Sequence, residues 1–240
     1  MSGCLYGVGL GPGDPELITL KAARIISQTR LIAYFQKRGG GHARAIAASL
    51  MNGHHEELPL NYPVTTEYKA DDPRYETLIH DFYEKAAGNI AARLKSGEDV
   101  AVLCEGDPFF YGSFMHLYRR LAQDYPCHVV PGITGMSGGW TNAGTPIAWG
   151  NDVFTVIPGT LDSESLARRF KSTDAAAVIK LGRNLPRVRA ALAEAGLIDR
   201  AIYIEYGTMA AERILPLHEK LDDNAPYFSL IVVPGEGRRL

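Results

Sequence analysis

Cysteine is scarce in this chain: three residues in 240, Cys4, Cys104 and Cys127, odd in number, widely spaced and without a CxxC pair. That pattern excludes a disulfide scaffold and a structural zinc ribbon, and it predicts a reducing compartment with the thiols acting as buried apolar residues. An excess of positive charge is missing too. The formal net charge of −2, with Lys and Arg spread along the chain, lacks the basic surface that a phosphate backbone demands. No apolar run reaches membrane-spanning length. The opening residues MSGCLYGVGLG show no basic segment followed by an apolar stretch and a cleavage site, so a cytoplasmic protein is expected.

What is present is a large apolar fraction, 46% of the residues, enough for one large core or two modest ones. Short apolar runs alternate with helical patterns, the signature of parallel sheets covered by crossover helices. Two sets are legible. The first places strands at 5–10, 31–35, 55–58, 100–104 and 128–130, with helical stripes made by Ile18, Ala22 and Ile25 and by Ile79, Phe82, Ala86, Ile90 and Leu94. The second places strands at 154–157, 177–181, 201–205, 214–217 and 228–233. One of its helices follows Asn184, starts with Pro186 in the first turn and stops at Gly196. A Pro/Gly/Asn-containing stretch at 145–152 separates the sets, after a segment too glycine-rich for an ordinary core helix. The expected architecture is α/β, with two α/β domains, each around a five-stranded sheet, spanning 1–147 and 148–240.

Ligands of open parallel sheets bind beyond the carboxyl ends of the strands. Three such loops are unusual: Gly7-Val8-Gly9-Leu10-Gly11-Pro12-Gly13-Asp14-Pro15, Glu105-Gly106-Asp107-Pro108-Phe109-Phe110-Tyr111-Gly112, and Pro131-Gly132-Ile133-Thr134-Gly135. A nicotinamide fingerprint fails, because GxGxxG counted from Gly7 puts Pro12 at its third glycine and the second strand ends in Phe35-Gln36-Lys37-Arg38 without an acidic residue. The GxxxxGK[ST] phosphate loop is absent as well. What these loops offer is exposed backbone shaped by glycine and proline, a neutral cradle suited to adenosine with a zwitterionic tail. Taken singly, each is also explained as a tight strand-to-helix turn.

The order GxGPGDPELxTLKAxR at 9–24, GDPxxYG at 106–112 and PGIT at 131–134 resembles the tetrapyrrole (corrin and porphyrin) methylase family, over essentially the whole chain. The stretches Tyr6-Gly7-Val8-Gly9, Ile32-Ala33-Tyr34-Phe35 with Gly41-His42-Ala43-Arg44, and Lys180-Leu181-Gly182-Arg183-Asn184 are most similar to the branch that methylates precorrin-2 at C20. The resemblance implies class III methyltransferase architecture, an active site between the two domains, a homodimer, and S-adenosyl-L-methionine as donor with S-adenosyl-L-homocysteine as product. The implied reaction gives precorrin-3A in cobalamin biosynthesis; cobalt-precorrin-2 is the alternative acceptor, and the resemblance favours the metal-free ring. Donor contacts carried over by motif fall on Pro12, Glu105, Gly106, Asp107, Phe110, Thr134 and Gly135, and in the second half on Leu181, Tyr206 and Ser229. The chain departs from the family at Leu181, where methionine is common, and at Ser229, near which alanine is common.

The implied substrate is rich in carboxylates. The segment Lys37-Arg38-Gly39-Gly40-Gly41-His42-Ala43-Arg44 is a cationic, glycine-hinged stretch able to meet them through Lys37, Arg38 and Arg44, or else a solvated surface loop. Methyl transfer is an in-line displacement at a sulfonium carbon, for which positioning and exclusion of water supply much of the acceleration. The remaining need is an acceptor for the proton lost from the ring; Asp107, His42 and Tyr111, together with Glu105, are candidates by position.

Rival classes leave weaker traces. Gly135-Met136-Ser137-Gly138-Gly139 matches GxSxG, the elbow of serine hydrolases with Ser137 as nucleophile, yet four residues separate it from the preceding strand and the only histidine downstream is His218. His54-His55-Glu56-Glu57 lacks HExxH spacing, and neighbours on a strand face opposite ways, so no metal is expected. A non-catalytic solute-binding protein with two α/β domains is the third class.

Overall fold

The computed structural model describes residues 1–37, 40–63 and 72–237. The chain folds as two compact units, Met1–Thr134 and Gly135–Leu240.

In the first unit, β1 (Leu5–Gly9), β2 (Leu31–Gln36), β3 (Glu56–Asn61), β4 (Val100–Cys104) and β5 (Cys127–Val130) form one sheet in the order β3-β2-β4-β1-β5. Every neighbouring pair is parallel. Residues 31–35 of β2 and all of β4 are buried without alternation, as expected where helices cover both faces. Edge strand β3 instead alternates, and its glutamates keep that edge wet. Helices α1 (Leu20–Gln28) and α2 (His42–Ile46) pack on Val8, Ile32 and Leu103; α3 (Pro73–Lys95) and α4 (Phe114–Leu121) pack on Leu5, Ala33 and Val102 from the other side. Start signals are local. Thr19 caps α1 by accepting from the Ala22 N–H at 3.1 Å, and Asp72 caps α3 with Pro73 in the first turn.

This order places the site. β1 and β4 are neighbours, but the connection from β1 runs over one face through α1 while that from β4 runs over the opposite face through α4. The main chain therefore parts in opposite directions at their carboxyl ends, the switch point where open α/β sheets hold ligands.

In the second unit, β6 (Phe154–Pro158), β7 (Ala175–Ile179), β8 (Ile202–Glu205), β9 (Arg213–Pro216) and β10 (Ser229–Val233) form a sheet in the order β6-β7-β10-β8-β9. The sequence pattern predicts a parallel sheet here; the structure shows a mixed one. Only β6 and β7 run parallel, whereas β10 opposes both β7 and β8, and β9 opposes β8. The cause lies in the connections: the turn from β8 to β9 holds no crossover helix, so the chain can only fold back on itself. Helices α6 (Ser163–Lys171) and α7 (Leu185–Glu194) cover one face, and α5 (Gly135–Asn142) covers the other, laying Met136 and Trp140 against Ala177, Ile204 and Val232. The composition break expected at 147/148 thus stands beyond α5, a helix that packs within the second unit.

All ten expected strand positions carry strands, β7 starting at Ala175 rather than at 177. The cysteines are all free, but only Cys104 is buried; there burial pushes the thiol well above its ordinary range. Cys4 and Cys127 are half-buried, not core residues as composition suggests.

Candidate active site

At the switch point the loops after β1, β4 and β5 are tied to one another by hydrogen bonds. Gly106 N–H donates to the Gly11 carbonyl at 2.8 Å, and Gly11 N–H donates back at 3.3 Å. Asp107 bridges onward: Oδ2 accepts from the Gly132 N–H at 3.0 Å, and Oδ1 accepts from the Phe109 N–H at 2.8 Å. The approach is so close that a Cβ on Gly132 would stand 2.0 Å from the Gly106 carbonyl oxygen, and one on Gly9 would stand 2.6 Å from the Gly132 nitrogen. Only glycine fits at those two positions.

Glu105, immediately after β4, is held differently. Its Oε1 accepts from the Ala43 N–H at 3.0 Å, at the start of α2, where Gly41 provides no side-chain cap. The residue keeps an exposed side although protein surrounds it closely. Burial pushes its carboxyl above the usual carboxylate range, against the opposing pull of main-chain N–H groups and of His42. Asp107, with both oxygens engaged by N–H donors, is a positioning residue; its geometry does not suit the proton transfer expected of it from sequence.

Backbone strain marks one of these loops and two in the second unit. Among the described residues, four non-glycine residues adopt positive φ: Tyr111 at 55°, Lys180 at 58°, Tyr206 at 49° and Thr208 at 67°. Each lies in a loop that follows a strand carboxyl end, after β4, β7 or β8. Strain of this kind persists where surrounding structure enforces it, and it concentrates at functional sites.

Within the second unit, the sequence-predicted residues Leu181, Tyr206 and Ser229 come to one edge of the sheet. β10 is antiparallel to β7 and β8, so its first residue, Ser229, lies at the end where those two strands finish. Tyr206 N–H donates to the Phe228 carbonyl at 2.7 Å, and Ser229 pairs in register with Glu205. Leu181 is 1% exposed and part of the core, which leaves its main chain as the group able to meet a ligand. Ser229 is buried, with its hydroxyl donating to the Pro226 carbonyl at 2.6 Å. Glu212 braces the strained turn by accepting from the Thr208 N–H at 2.6 Å. Gly135 is exposed, and a Cβ there meets nothing within 4 Å. In the first unit Pro12 is buried, while Phe110 and Thr134 are half-buried.

The cationic stretch looks different from its sequence. Arg38 lies outside the described residues. Lys37 and Gly40 form a narrow antiparallel bridge, and residues from His42 onward are helical rather than loop. Arg44 grips Glu57 with Nε and Nη2, at 2.9 to 3.2 Å, while the Tyr34 hydroxyl donates to the same carboxylate at 2.7 Å. Its charge is therefore matched within the fold, which sets it apart from a residue held ready for substrate carboxylates. Sequence reasoning missed this pair because Glu57 sits on β3 and Arg44 on α2, with no local pattern linking them. Tyr111 is exposed beside Phe110, ring centroids 4.9 Å apart. Ser137 lies inside α5, not at a strand-to-helix elbow, and His218 pairs with its neighbour Glu219. Glu56 binds Arg93, and no metal-binding cluster of His, Cys, Asp or Glu occurs among the described residues.

The cradle discriminates between ligand classes by charge. Residues 10–15, 105–112 and 131–134 include Asp14, Glu105 and Asp107 and no Lys or Arg. A pyrophosphate would be repelled there, whereas a sulfonium cation beside neutral main chain is favoured. A family model described as Tetrapyrrole (Corrin/Porphyrin) Methylases matches residues 4–222. The chain belongs to this family. Among family relatives, a precorrin-2 C(20)-methyltransferase of Sinorhizobium sp is 53% identical across 97% of this chain and 96% of its own length. A cobalt-precorrin-2 C(20)-methyltransferase of Salmonella typhimurium is 28% identical, covering 97% of each. The solved structure of the cobalt precorrin-4 methyltransferase CbiF matches with a TM-score of 0.73 over 96% of this chain and 94% of that one, at 20% identity, which shows the shared methylase fold.

Proposed function

We propose that this chain transfers the methyl group of S-adenosylmethionine to C20 of precorrin-2, forming precorrin-3A and S-adenosylhomocysteine in cobalamin biosynthesis. The observation that carries this reading is the 53% identity, over nearly the full length of both chains, to a precorrin-2 C(20)-methyltransferase. The acid-lined, phosphate-averse cradle at the β1/β4 switch point supports it. The weaker likeness to the cobalt-precorrin-2 C(20)-methyltransferase, 28%, favours the metal-free ring as acceptor.

S-adenosylmethionine, when bound, supplies an electrophilic methyl group on a positively charged sulfur. The chain's task is to hold and aim it, and to keep water away. Donor contacts are proposed at Pro12, Glu105, Gly106, Asp107, Phe110 and Thr134 in the first unit, and at Gly135, Leu181, Tyr206 and Ser229 in the second. Asp107 serves by fixing two loops, not by touching protons. For the ring's carboxylates the proposed partner is Lys37, joined by Arg38 from outside the described residues. No helix among the described residues is long and apolar enough to cross a membrane; a cytoplasmic homodimer is the proposed working form.

The test is direct. Purified protein is incubated with S-adenosylmethionine carrying a labelled methyl group, together with precorrin-2 or its cobalt complex, and the labelled carbon is located by NMR. Label at C20 of the metal-free ring is expected. Label on another carbon, or uptake only by the cobalt complex, overturns the proposal.

A further inference from the structure

We propose that Glu105 is the catalytic base that takes the proton from C20, acting through its Oε2; this assignment rests on the methyl-transfer reading above. The chemistry requires such a group. Methylation forms the C20–CH3 bond and breaks the S–CH3 bond, leaving S-adenosylhomocysteine and a positively charged ring. Loss of the C20 hydrogen as a proton returns its electron pair to the ring and neutralises it. The proton needs an acceptor beside the donor cradle.

Three observations single out Glu105 among the candidates. First, its two oxygens are unequal. Oε1 is fixed by the Ala43 N–H at 3.0 Å, while Oε2 takes no bond from another described residue, the residue's own main-chain N–H being the carboxylate's second donor, and it is not a buried orphan. One oxygen thus sets the direction of the carboxylate and the other is open to a ligand. Second, Glu105 adjoins Gly106 and Asp107, the residues that tie the three cradle loops together, so a carbon in contact with the donor's methyl group lies near its reach. Asp107 offers no such oxygen, since both of its own are taken. Third, the surroundings favour a carboxylate that accepts protons readily. Close protein around it raises its proton affinity, with the neighbouring Cys104 and Asp107 on its own segment and His42 on α2 the titratable groups that act on or near it.

Glu105→Gln separates this role from helix capping, because the amide oxygen still accepts from Ala43. The expected result is a fall in kcat, measured at saturating S-adenosylmethionine, of about 100-fold or more, well beyond the roughly tenfold loss of donor affinity, read by calorimetry, that removal of one charged contact brings. With precorrin-2 deuterated at C20, the variant should show a primary isotope effect larger than that of the unaltered enzyme, since proton removal becomes rate-limiting. A kcat within about threefold of the unaltered enzyme overturns the assignment, and so does a large kcat loss with no isotope effect. Glu105→Ala, which loses the cap as well, gauges stability: its melting temperature should fall below that of the Gln variant. Failure of the unaltered enzyme to methylate precorrin-2 would instead strike the substrate reading.

Discussion

Asp107 and Gly132 are joined by a 3.0 Å hydrogen bond, from the main-chain N–H of the loop after β5 to the carboxylate of the loop after β4. With the bond from Phe109 N–H it turns two independent strand-end loops into one surface. Asp107→Ala leaves both N–H groups without their charged partner and lets the loops separate. Affinity for S-adenosylmethionine is expected to drop by about tenfold or more, the scale of a lost charge-assisted hydrogen bond. Titration calorimetry checks it, and an unchanged Kd would remove the donor from this cradle.

A steric prediction accompanies the electrostatic one. Gly132→Ala forces a Cβ to within 2.0 Å of the Gly106 carbonyl oxygen, a main-chain atom that cannot rotate aside. The cost should be about 1–3 kcal/mol or more, the range of over-packing in a tight site. Gly88 is the control: it sits exposed inside α3, and a Cβ there meets nothing within 4 Å. Gly88→Ala should stabilise by about 0.5–1 kcal/mol through helix propensity alone. Thermal melts of the two variants are expected to move in opposite directions.

Much of this was legible in the sequence, for reasons that differ by element. Strand positions were readable because residues such as 31–35 and 100–104 are buried on both faces and so run apolar without interruption. The α7 boundaries followed from Pro186 and Gly196, whose backbone preferences act locally. Strand direction in the second sheet was not readable, because direction depends on connections and not on side-chain period. The cradle was found by its glycines and prolines. What the sequence could not show was which acid inside it is free: Asp107 and Glu105 look alike on paper, and only the donors around them, Gly132, Phe109 and Ala43, tell them apart. The pairing of Arg44 with Glu57 stayed hidden for the same reason, since tertiary structure brings the two together.

The Glu105 environment also makes a prediction about stability that is independent of turnover. Burial raises its carboxyl pKa in the folded chain above the value it takes when unfolded. The folded state then binds this proton more tightly than the unfolded state. Its stabilising contribution is fully present below the unfolded carboxyl pKa, and it is lost as pH rises through the folded value. At neutral pH the ionised side chain is consequently expected to weigh against the fold, by an amount that its exposed side reduces. Glu105→Gln keeps the acceptor for Ala43 and cannot ionise, so it should be more stable than the unaltered protein at pH near 7. That advantage should shrink and vanish as the pH falls below about 4, where both proteins carry a neutral group at this position. Urea melts at the two pH values measure the difference. A variant that is more stable and yet nearly inactive at neutral pH would show stability exchanged for function at one side chain, whereas equal stability at both pH values would mean that the carboxylate is as well solvated in the fold as in the open chain.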